Sequence, residues 1–565
     1  MKGRIREYIQ CDVGHGDSAL FDIEYENSKE EKETRFILVD VGDKKGNQFE
    51  DLKNCAESHK EEKPIKTSIK ITHLHSDHIG GIDKLLKMNH KDIEIESISF
   101  PEGLYKVYET YNQILEGCET AKIIENFNNS SEIINTMGWL EFLLVKQNTK
   151  VKDRQLISEK LTELKNIWNN THKGNQEIND KRMQKKKDEL YEYFQKEIIG
   201  DNVEKKGCFS KSEILEFSKR AASMLKTMSK IKVKNISVQK DSTQQKIEEY
   251  GVEITKIPFE KEKFRTMIKE SCDDETLISF LKHDILPKED EIEEILRNPS
   301  EENMEKYTAY QINRYLVEHC GVNEEDWQLS KNGKVAGDVA HKLIKRALGP
   351  EVNMTNTLYY IDDGKNPTLI AGDQEIPHEL YVLNEINKNL QRPPEWFKCS
   401  NVKVGHHLST TSNCINYLKT IINHSLENDL TPVLTASLSK DDLFDYQENI
   451  ANTEKMLGAT IAKTTDGSFR IKYSKDGKDY VMNDLMKKRL HEEKEYLQET
   501  MLKMANILKE GSVLTKEENE TWDEAKEKVK IIDDCLKNGV PLEEYTENFY
   551  QKFKENLDYL FDRER

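Results

Sequence analysis

The chain has 565 residues, of which 33% are charged and 36% hydrophobic, and its formal net charge is −19. A chain of this length is longer than one hydrophobic core usually fills, so we expect two or three domains. The acidic balance argues against a protein that coats nucleic acid by broad neutralisation of phosphates, because that requires a basic surface, but it leaves room for a local basic groove.

The sequence predicts a soluble protein of a reducing compartment. The amino terminus, Met1–Gln10, lacks the apolar core of a signal peptide, and no apolar stretch is long enough to span a bilayer. The nine cysteines are scattered without a CxxC pair, which suggests neither a disulfide framework nor a cysteine-type zinc site. We therefore expect a cytoplasmic location and no membrane partner.

The first chemical motif follows two strand-like segments. Ile37–Gly42 (ILVDVG) is an apolar run that contains Asp40, and Ser68–Leu74 (SIKITHL) leads directly into Thr72–Gly81 (THLHSDHIGG). The latter places three imidazoles and one carboxylate within six positions, at His73, His75, Asp77 and His78. Imidazole and carboxylate suit zinc and other divalent metals, so the spacing predicts a metal site. The alternative is a polar loop with surface histidines.

The middle and the end of the chain are predicted to be helical additions to an interrupted fold. The β-rich segments stop at Ile98–Phe100 and resume at Thr357, and the charged sequence between them is far longer than an ordinary loop. From about Asn483 apolar residues recur at helical spacing, and Thr515 with Glu518 forms a capping box. The predicted segments are two halves of one fold (1–102 and 351–481), a helical insertion (103–350) and a helical carboxyl-terminal extension (482–565).

Two later segments supply further ligand-type side chains at the carboxyl ends of apolar strands. Thr368–Asp373 (TLIAGD) ends on a Gly-Asp step, and Val402–Asn413 (VKVGHHLSTTSN) contains the pair His406 and His407. A layered α/β fold places its chemistry at the carboxyl ends of its strands. An aspartate after a strand is by itself more often a turn residue or a helix cap. The order Asp40, HxHxDH, Gly-Asp and His-His along one chain is far more specific for a metal site than any one of these segments.

Together these motifs resemble the metallo-β-lactamase superfamily, whose signature is HxHxDH followed by a distant aspartate and a distant histidine. Within it, the sequence is most similar to the soluble metallohydrolase domain of the DNA-uptake competence protein ComEC and its stand-alone relatives. The segments that carry the resemblance are Cys11–Phe21 (CDVGHGDSALF), Thr72–Gly81, Asn356–Asp362 (NTLYYID), Leu369–Asp373 (LIAGD), Val402–Ser409 (VKVGHHLS) and Gly458–Ile471 (GATIAKTTDGSFRI).

The sequence departs from the family pattern at two places. Leu408 stands where the family has the glycine of its HHGS motif, and the family's later His-Pro pair is absent near Ser439–Tyr446 (SKDDLFDY). We expect both changes to affect the substrate rim more than the metal cage, so they leave the identity of the substrate open.

The resemblance implies an α/β fold of four layers, αββα, that holds two divalent metal ions, Zn²⁺ or Mn²⁺. It assigns His73 and His75 to the first metal. It assigns Asp77 and His78 to the second metal, and Asp373 would bridge the two. Asp77 would also orient the attacking hydroxide or accept its proton.

The resemblance leaves the remaining ligands open. One of His406 and His407 would complete the second site, and the spare histidine would assist the leaving group. Asp40 would orient a ligand imidazole. Residues expected beside the cleft or behind the ligands are His15, Asp17 and Ser409. Many members of the superfamily use a further histidine from the middle of the chain, and the sequence does not identify one among His90, His172, His283, His319 and His341.

The implied chemistry is hydrolysis of phosphodiester bonds by a hydroxide that bridges two metals. The leading hypothesis is a nuclease with DNA or RNA as its substrate. The helical insertion or the extension would then bind a partner protein, and the chain could also form a homo-oligomer. A second hypothesis keeps the metals but gives them a small phosphodiester or another ester as substrate. A third, of a different class, is a scaffold protein whose metal site is purely structural.

Overall fold

The computed structural model describes residues 2–14, 16–43, 45–73, 75–101, 235–238, 244–271, 289–323, 337–347, 356–386, 393–459, 461–475, 479–509 and 513–543, together with residues 159, 162, 326, 353 and 545. His15 and the greater part of the predicted insertion lie outside these residues. Within them the chain is a mixed α/β protein with two multi-stranded sheets, which confirms the α/β class expected from the sequence.

Two sheets organise the described residues. The strands, in chain order, are β1 (Lys2–Gln10), β2 (Ala19–Glu26), β3 (Lys32–Val39), β4 (Ile65–Lys70), β5 (Ile93–Phe100), β6 (Asn235–Val238), β7 (Gln245–Glu249), β8 (Val252–Pro258), β9 (Thr357–Asp362), β10 (Thr368–Ile370), β11 (Asn401–Lys403), β12 (Val433–Ala436), β13 (Ala462–Lys463), β14 (Phe469–Lys472), β15 (Tyr480–Met482) and β16 (Val540–Pro541). Sheet A has the nine-strand order β16-β15-β14-β1-β2-β3-β4-β5-β6, and sheet B has the seven-strand order β13-β12-β11-β10-β9-β8-β7. Strands β3 to β6 run parallel in sheet A, and β10 to β13 run parallel in sheet B.

The helices in the described part are α1 (Gln48–Ser58), α2 (Ser76–Ile79), α3 (Ile82–Met88), α4 (Lys261–Ser271), α5 (Glu289–Arg297), α6 (Glu301–Cys320), α7 (Gly337–Ala347), α8 (Ile376–Glu385), α9 (Ile415–Leu426), α10 (Lys440–Leu457), α11 (Asp484–Lys509) and α12 (Lys516–Asn538). The predicted capping box is confirmed, because the Thr515 side chain accepts from the Glu518 amide while the Glu518 carboxylate accepts from the Thr515 amide. Among the described helices, none has the length and apolar content that a bilayer crossing requires.

Two apolar clusters hold the layers together. One lies between the sheets and joins Ile5 and Phe21 of sheet A to Ile254 and Tyr359 of sheet B, all of them fully buried. The other covers the opposite face of sheet B, where the strands pack against helices α4 to α10. Sheet B therefore lies between sheet A and a layer of helices, and this arrangement brings the ends of strands from both sheets to one edge.

The prediction that β structure stops at Phe100 and resumes at Thr357 is wrong for three strands. β6 extends sheet A beside β5, while β7 and β8 form the edge of sheet B. β8 pairs antiparallel with β9 from Glu253↔Asp362 to Pro258↔Thr357. Because β7 is short and charged (QKIEE), its sequence resembles a polar helix, and only pairing with β8 makes it a strand. The carboxyl-terminal extension likewise adds one short strand, β16, to sheet A.

Candidate metal centre

Four strand ends bring the candidate ligands together. Asp40 follows β3 and the HxHxDH motif follows β4, and these neighbouring strands run parallel in the register Val39↔Lys70. In sheet B, Asp373 follows β10 and the His406–His407 pair follows β11, which is again its parallel neighbour. The two edges meet directly, because the Thr357 amide donates to the carbonyl of Thr72 at 3.0 Å. The carboxyl ends of parallel strands thus converge, as expected for a layered α/β fold.

Four side chains form what we call the inner group: His78, His407, Asp77 and Asp373. The His78 Nε2 atom lies 3.1 Å from Asp373 Oδ1 and 3.6 Å from Asp77 Oδ2. The His407 Nε2 atom lies 3.7 Å from each of the same two oxygens. Ligand atoms around a tetrahedral zinc ion are about 3.3 Å apart, given metal–ligand distances near 2.0–2.1 Å. These four separations are therefore close to those between the ligands of a four-coordinate metal site.

Three side chains form what we call the outer group: His73, His75 and Asp373. The His73 Nε2 atom lies 3.0 Å from His75 Nδ1 and 3.4 Å from Asp373 Oδ2, and His75 Nδ1 lies 3.9 Å from that oxygen. Asp373 thus gives Oδ2 to the outer group and Oδ1 to the inner group. The His75 side chain is 34% exposed whereas those of His73 and His78 are fully buried, so the outer group faces the opening.

Hydrogen bonds on the far side of the rings orient the histidines. Asp40 Oδ2 lies 2.8 Å from His78 Nδ1 and accepts the hydroxyl hydrogen of Thr72 at 2.7 Å. Because that hydroxyl has no second hydrogen, it accepts from His73 Nδ1 at 3.1 Å. His407 Nδ1 donates to the carbonyl of Ser437 at 2.7 Å. In all three rings Nδ1 therefore carries a proton, and Nε2 is the atom directed at the carboxylates of the two groups.

The inner group attracts positive charge. Burial disfavours the charged form of His78, but the carboxylates of Asp373 and Asp40 outweigh burial and raise the pKa of His78 well above its ordinary value. In the same way, Asp17 and Asp77 overcome burial and raise the pKa of His407 to about 9. Buried carboxylates that hold imidazoles in the charged form provide an equally favourable environment for a divalent cation, which would displace those protons.

Two buried atoms test whether the residues suit a metal. His78 Nε2 and Asp373 Oδ1 have no hydrogen-bond partner of acceptable geometry among the described residues, although they lie 3.1 Å apart. Buried polar atoms are rarely left unsatisfied, since each costs about 1–3 kcal/mol. A cation between them would satisfy both, and imidazole with carboxylate is a donor set that zinc and manganese accept. The residues present therefore fit the metals expected from the sequence.

Asp17 is buried and lies behind the ligands, which is one of the two positions that the resemblance left open. Together with His78, Asp373 and His407 it forms a buried set that could hold an ion. Its oxygens, however, approach the Nδ1 atoms, at 4.0 Å for His78 and 3.8 Å for His407, and one of them accepts a hydrogen bond from the buried Lys403 ammonium. Asp17 is thus positioned to support the imidazoles from behind, on the side away from Asp77 and Asp373.

The structure places Leu408 in the core, whereas its departure from the family pattern was expected to affect the substrate rim. Its side chain is fully buried in the apolar cluster beneath sheet B, although its φ of 60° falls in the left-handed region that favours glycine. Its carbonyl accepts from the Asn449 side chain at 2.6 Å. Packing therefore offsets the backbone strain, and Leu408 anchors the loop that carries the histidine pair.

Several supporting residues were not identified from the sequence. Lys403 Nζ donates to both Asp17 and the carbonyl of Gly372, which ties β11 to the Asp373 turn. Asn356 accepts from the Asp373 amide at 3.1 Å and donates to the carbonyl of Ala371 at 2.8 Å. A lysine inside an apolar strand was the available signal for Lys403, because a buried ammonium needs an anionic partner. The role of Asn356 depends on folding alone.

Two further predicted residues, Ser409 and His406, have definite positions. Ser409 is buried, and its hydroxyl lies 3.0 Å from His406 Nδ1. His406 itself is 23% exposed in its side chain and lies beside Asp373. His319 packs against Tyr315, and His341 is exposed on α7. His15 lies outside the described residues.

Comparison with known proteins returned no matching family model, no matching curated protein and no matching solved structure.

Proposed function

We propose that this chain is a metal-dependent hydrolase of phosphodiester bonds, with a metallo-β-lactamase-type αββα core, and that it acts as a nuclease on DNA or RNA. Two facing sheets with a helical layer, and ligand-type side chains at the strand ends, support the core assignment. The nucleic-acid substrate rests on the resemblance of the motifs to the competence-protein domain.

One observation carries the proposal. The two oxygens of Asp373, a single buried carboxylate, each face a different set of imidazole nitrogens. A carboxylate shared between two donor sets is suited to bridge two cations. Divalent ions held by the outer and inner groups would supply Lewis acidity, which lowers the pKa of a bound water towards about 7 and stabilises the charge that develops in a displacement at phosphorus.

The protein's own residues would hold and orient the reactants. Burial alone would raise the pKa of Asp77, but the charges of His78 and His407 outweigh it and hold the pKa well below its usual range. Asp77 therefore stays ionised at neutral pH, where it can accept a hydrogen bond from an attacking water and orient it; so low a pKa makes it a weak base. At the opening, the partly exposed His75 and His406 would meet a phosphate group first.

The test combines metal analysis with a cleavage assay. Purified protein should carry about two divalent ions per chain, and with zinc or manganese it should cleave labelled DNA or RNA. His75→Ala and Asp77→Ala should each lose one of the two ions and lose cleavage, yet keep the wild-type circular dichroism spectrum. His341→Ala provides a matched control, because this histidine is exposed on α7 and touches neither group.

Three outcomes would change the conclusion. Cleavage of bis-p-nitrophenyl phosphate but of no nucleic acid would replace the nuclease with a small-molecule phosphodiesterase. Bound metal without turnover of any phosphodiester would favour the scaffold protein. Protein that takes up neither zinc nor manganese would contradict the hydrolase altogether.

A further inference from the structure

We infer that the two histidines of the pair serve different metals, with His406 completing the outer group and His407 the inner group. The inference rests on the proposed function for the presence of two metals. The first metal would then take its fourth ligand, His406, from the loop that follows β11. The outer group would therefore need no histidine from the middle of the chain.

The positions of the ring nitrogens around Asp373 carry this division. His406 Nε2 lies 3.6 Å from Asp373 Oδ2, which is the oxygen that His73 Nε2 approaches at 3.4 Å. His407 Nε2 lies 3.7 Å from the other oxygen, Oδ1. The pair therefore straddles one carboxylate. Within the described residues, the histidines with a ring nitrogen within 4.0 Å of Asp373 are His73, His75, His78, His406 and His407.

The backbone explains how consecutive residues reach two sites. His406 and His407 have φ values of 40° and 52°, both left-handed, and this tight turn follows β11 directly. The two rings lie 5.9 Å apart between centroids and are inclined by 58°. Left-handed residues in sequence are strained, and such strain persists where surrounding contacts enforce it, as at ligand clamps.

Hydrogen bonding behind the His406 ring supports a ligand role. Its Nδ1 atom lies 2.5 Å from the Thr411 hydroxyl and 3.0 Å from the Ser409 hydroxyl, and these hydroxyls are 2.7 Å apart. Thr411 is itself held, because its carbonyl accepts from the Ile376 amide at 2.8 Å. Metal-binding histidines almost always have such a partner on the second nitrogen, which fixes the ring. With His406 the outer group has three imidazoles and one shared carboxylate, a donor set that zinc accepts.

Zinc counting in double variants tests the division. After loading with zinc and removal of weakly held ions by a chelator, native mass spectrometry should find two ions in the wild type and one in either His406→Ala or His407→Ala. The double variant H75A/H406A should keep one ion, because both residues belong to one site. H75A/H407A should keep none, because each substitution disables a different site. H341A provides the control and should keep two.

Each contrary pattern has a definite meaning. Two ions in H406A would show that His406 is no ligand and that another residue completes the outer group. If H75A/H406A keeps no ion while H406A/H407A keeps one, both histidines of the pair would belong to the inner metal. Either result overturns the inference.

Two further measurements separate failure modes. If H406A does not fold, judged by circular dichroism, Thr411→Val should weaken binding of one ion about 10–100-fold and leave the other unchanged; equal weakening of both ions would contradict the inference. A wild type that holds two ions in this pattern but cleaves no phosphodiester would refute the proposed function alone. A wild type without zinc would overturn both.

Discussion

Replacing Asp40 by asparagine removes a single charge from behind the metal centre. Asp40 is fully buried and accepts three hydrogen bonds, two from Thr72 (amide at 2.8 Å, hydroxyl at 2.7 Å) and one from His78 Nδ1 at 2.8 Å. Asparagine tolerates the φ of 58° at this position and can still accept from the Thr72 amide. Its NH₂ group, however, would face the N–H of His78. Both groups are hydrogen-bond donors, so no hydrogen bond could form between them.

The expected cost follows from that conflict. To escape it, His78 must turn or move its proton to Nε2, the atom directed at Asp77 and Asp373, and a protonated Nε2 cannot bind a metal. Loss of such a supporting carboxylate typically weakens metal binding about 10–100-fold. That loss of affinity corresponds to about 1.4–2.7 kcal/mol of binding free energy. At a fixed zinc concentration, zinc should therefore stabilise the variant less than the wild type by about the same 1.4–2.7 kcal/mol.

The assay is competition for zinc with a chromophoric chelator, followed by urea unfolding with and without zinc. Asp51→Asn is the matched control, because Asp51 is also buried and also accepts a hydroxyl hydrogen bond, from Ser468 Oγ at 2.5 Å, but belongs to no group of described residues that could hold a metal. We expect unchanged zinc affinity in this control. Wild-type affinity in Asp40→Asn would refute the reasoning, and equal weakening in both variants would indicate general destabilisation.

Three further predictions concern the surrounding structure. Leu408→Gly should lower the unfolding free energy by about 1–4 kcal/mol in urea, because the lost burial outweighs the relieved strain; an unchanged value would contradict this. Burial raises the pKa of Glu379 from 4.5 to about 7, so wild-type stability should fall as pH rises through that window. In Glu379→Gln the unfolding free energy should not fall over this pH range, because glutamine does not ionise. The difference in unfolding free energy between variant and wild type, measured by urea unfolding, should therefore shift in favour of the variant as pH rises. In Gly372→Ala the new Cβ would lie 2.3 Å from Asn356 Oδ1, at a φ of 56°. Zinc counting should therefore find at least one ion lost, and two retained ions would refute this.

The short-range patterns of the sequence predicted the α/β class and the members of both groups. The HxHxDH spacing identifies candidate ligands locally, because a strand end followed by a short helix brings neighbouring side chains to one place. Asp373 and the histidine pair were candidates because each follows an apolar strand. Their role as metal ligands stays a prediction, which the zinc measurements address.

The same patterns did not predict contacts between distant segments. Strand β7 was missed because its charged sequence becomes β structure only through pairing with β8, whereas β6 and β8 contain β-branched residues that local patterns can indicate. The burial of Leu408 was misjudged because a loop residue's side chain can point to either side of a sheet edge, and local sequence does not say which.

The sequence by itself determined which residue types stand at which strand ends, because apolar runs and ligand spacing are properties of neighbours along the chain. Only the tertiary structure decided which Asp373 oxygen each imidazole faces, that Asp17 lies behind the rings with Lys403, and that Leu408 anchors the loop. The physical reason is that these relations join β4, β10 and β11, segments far apart in sequence, whose mutual placement depends on how two sheets pack.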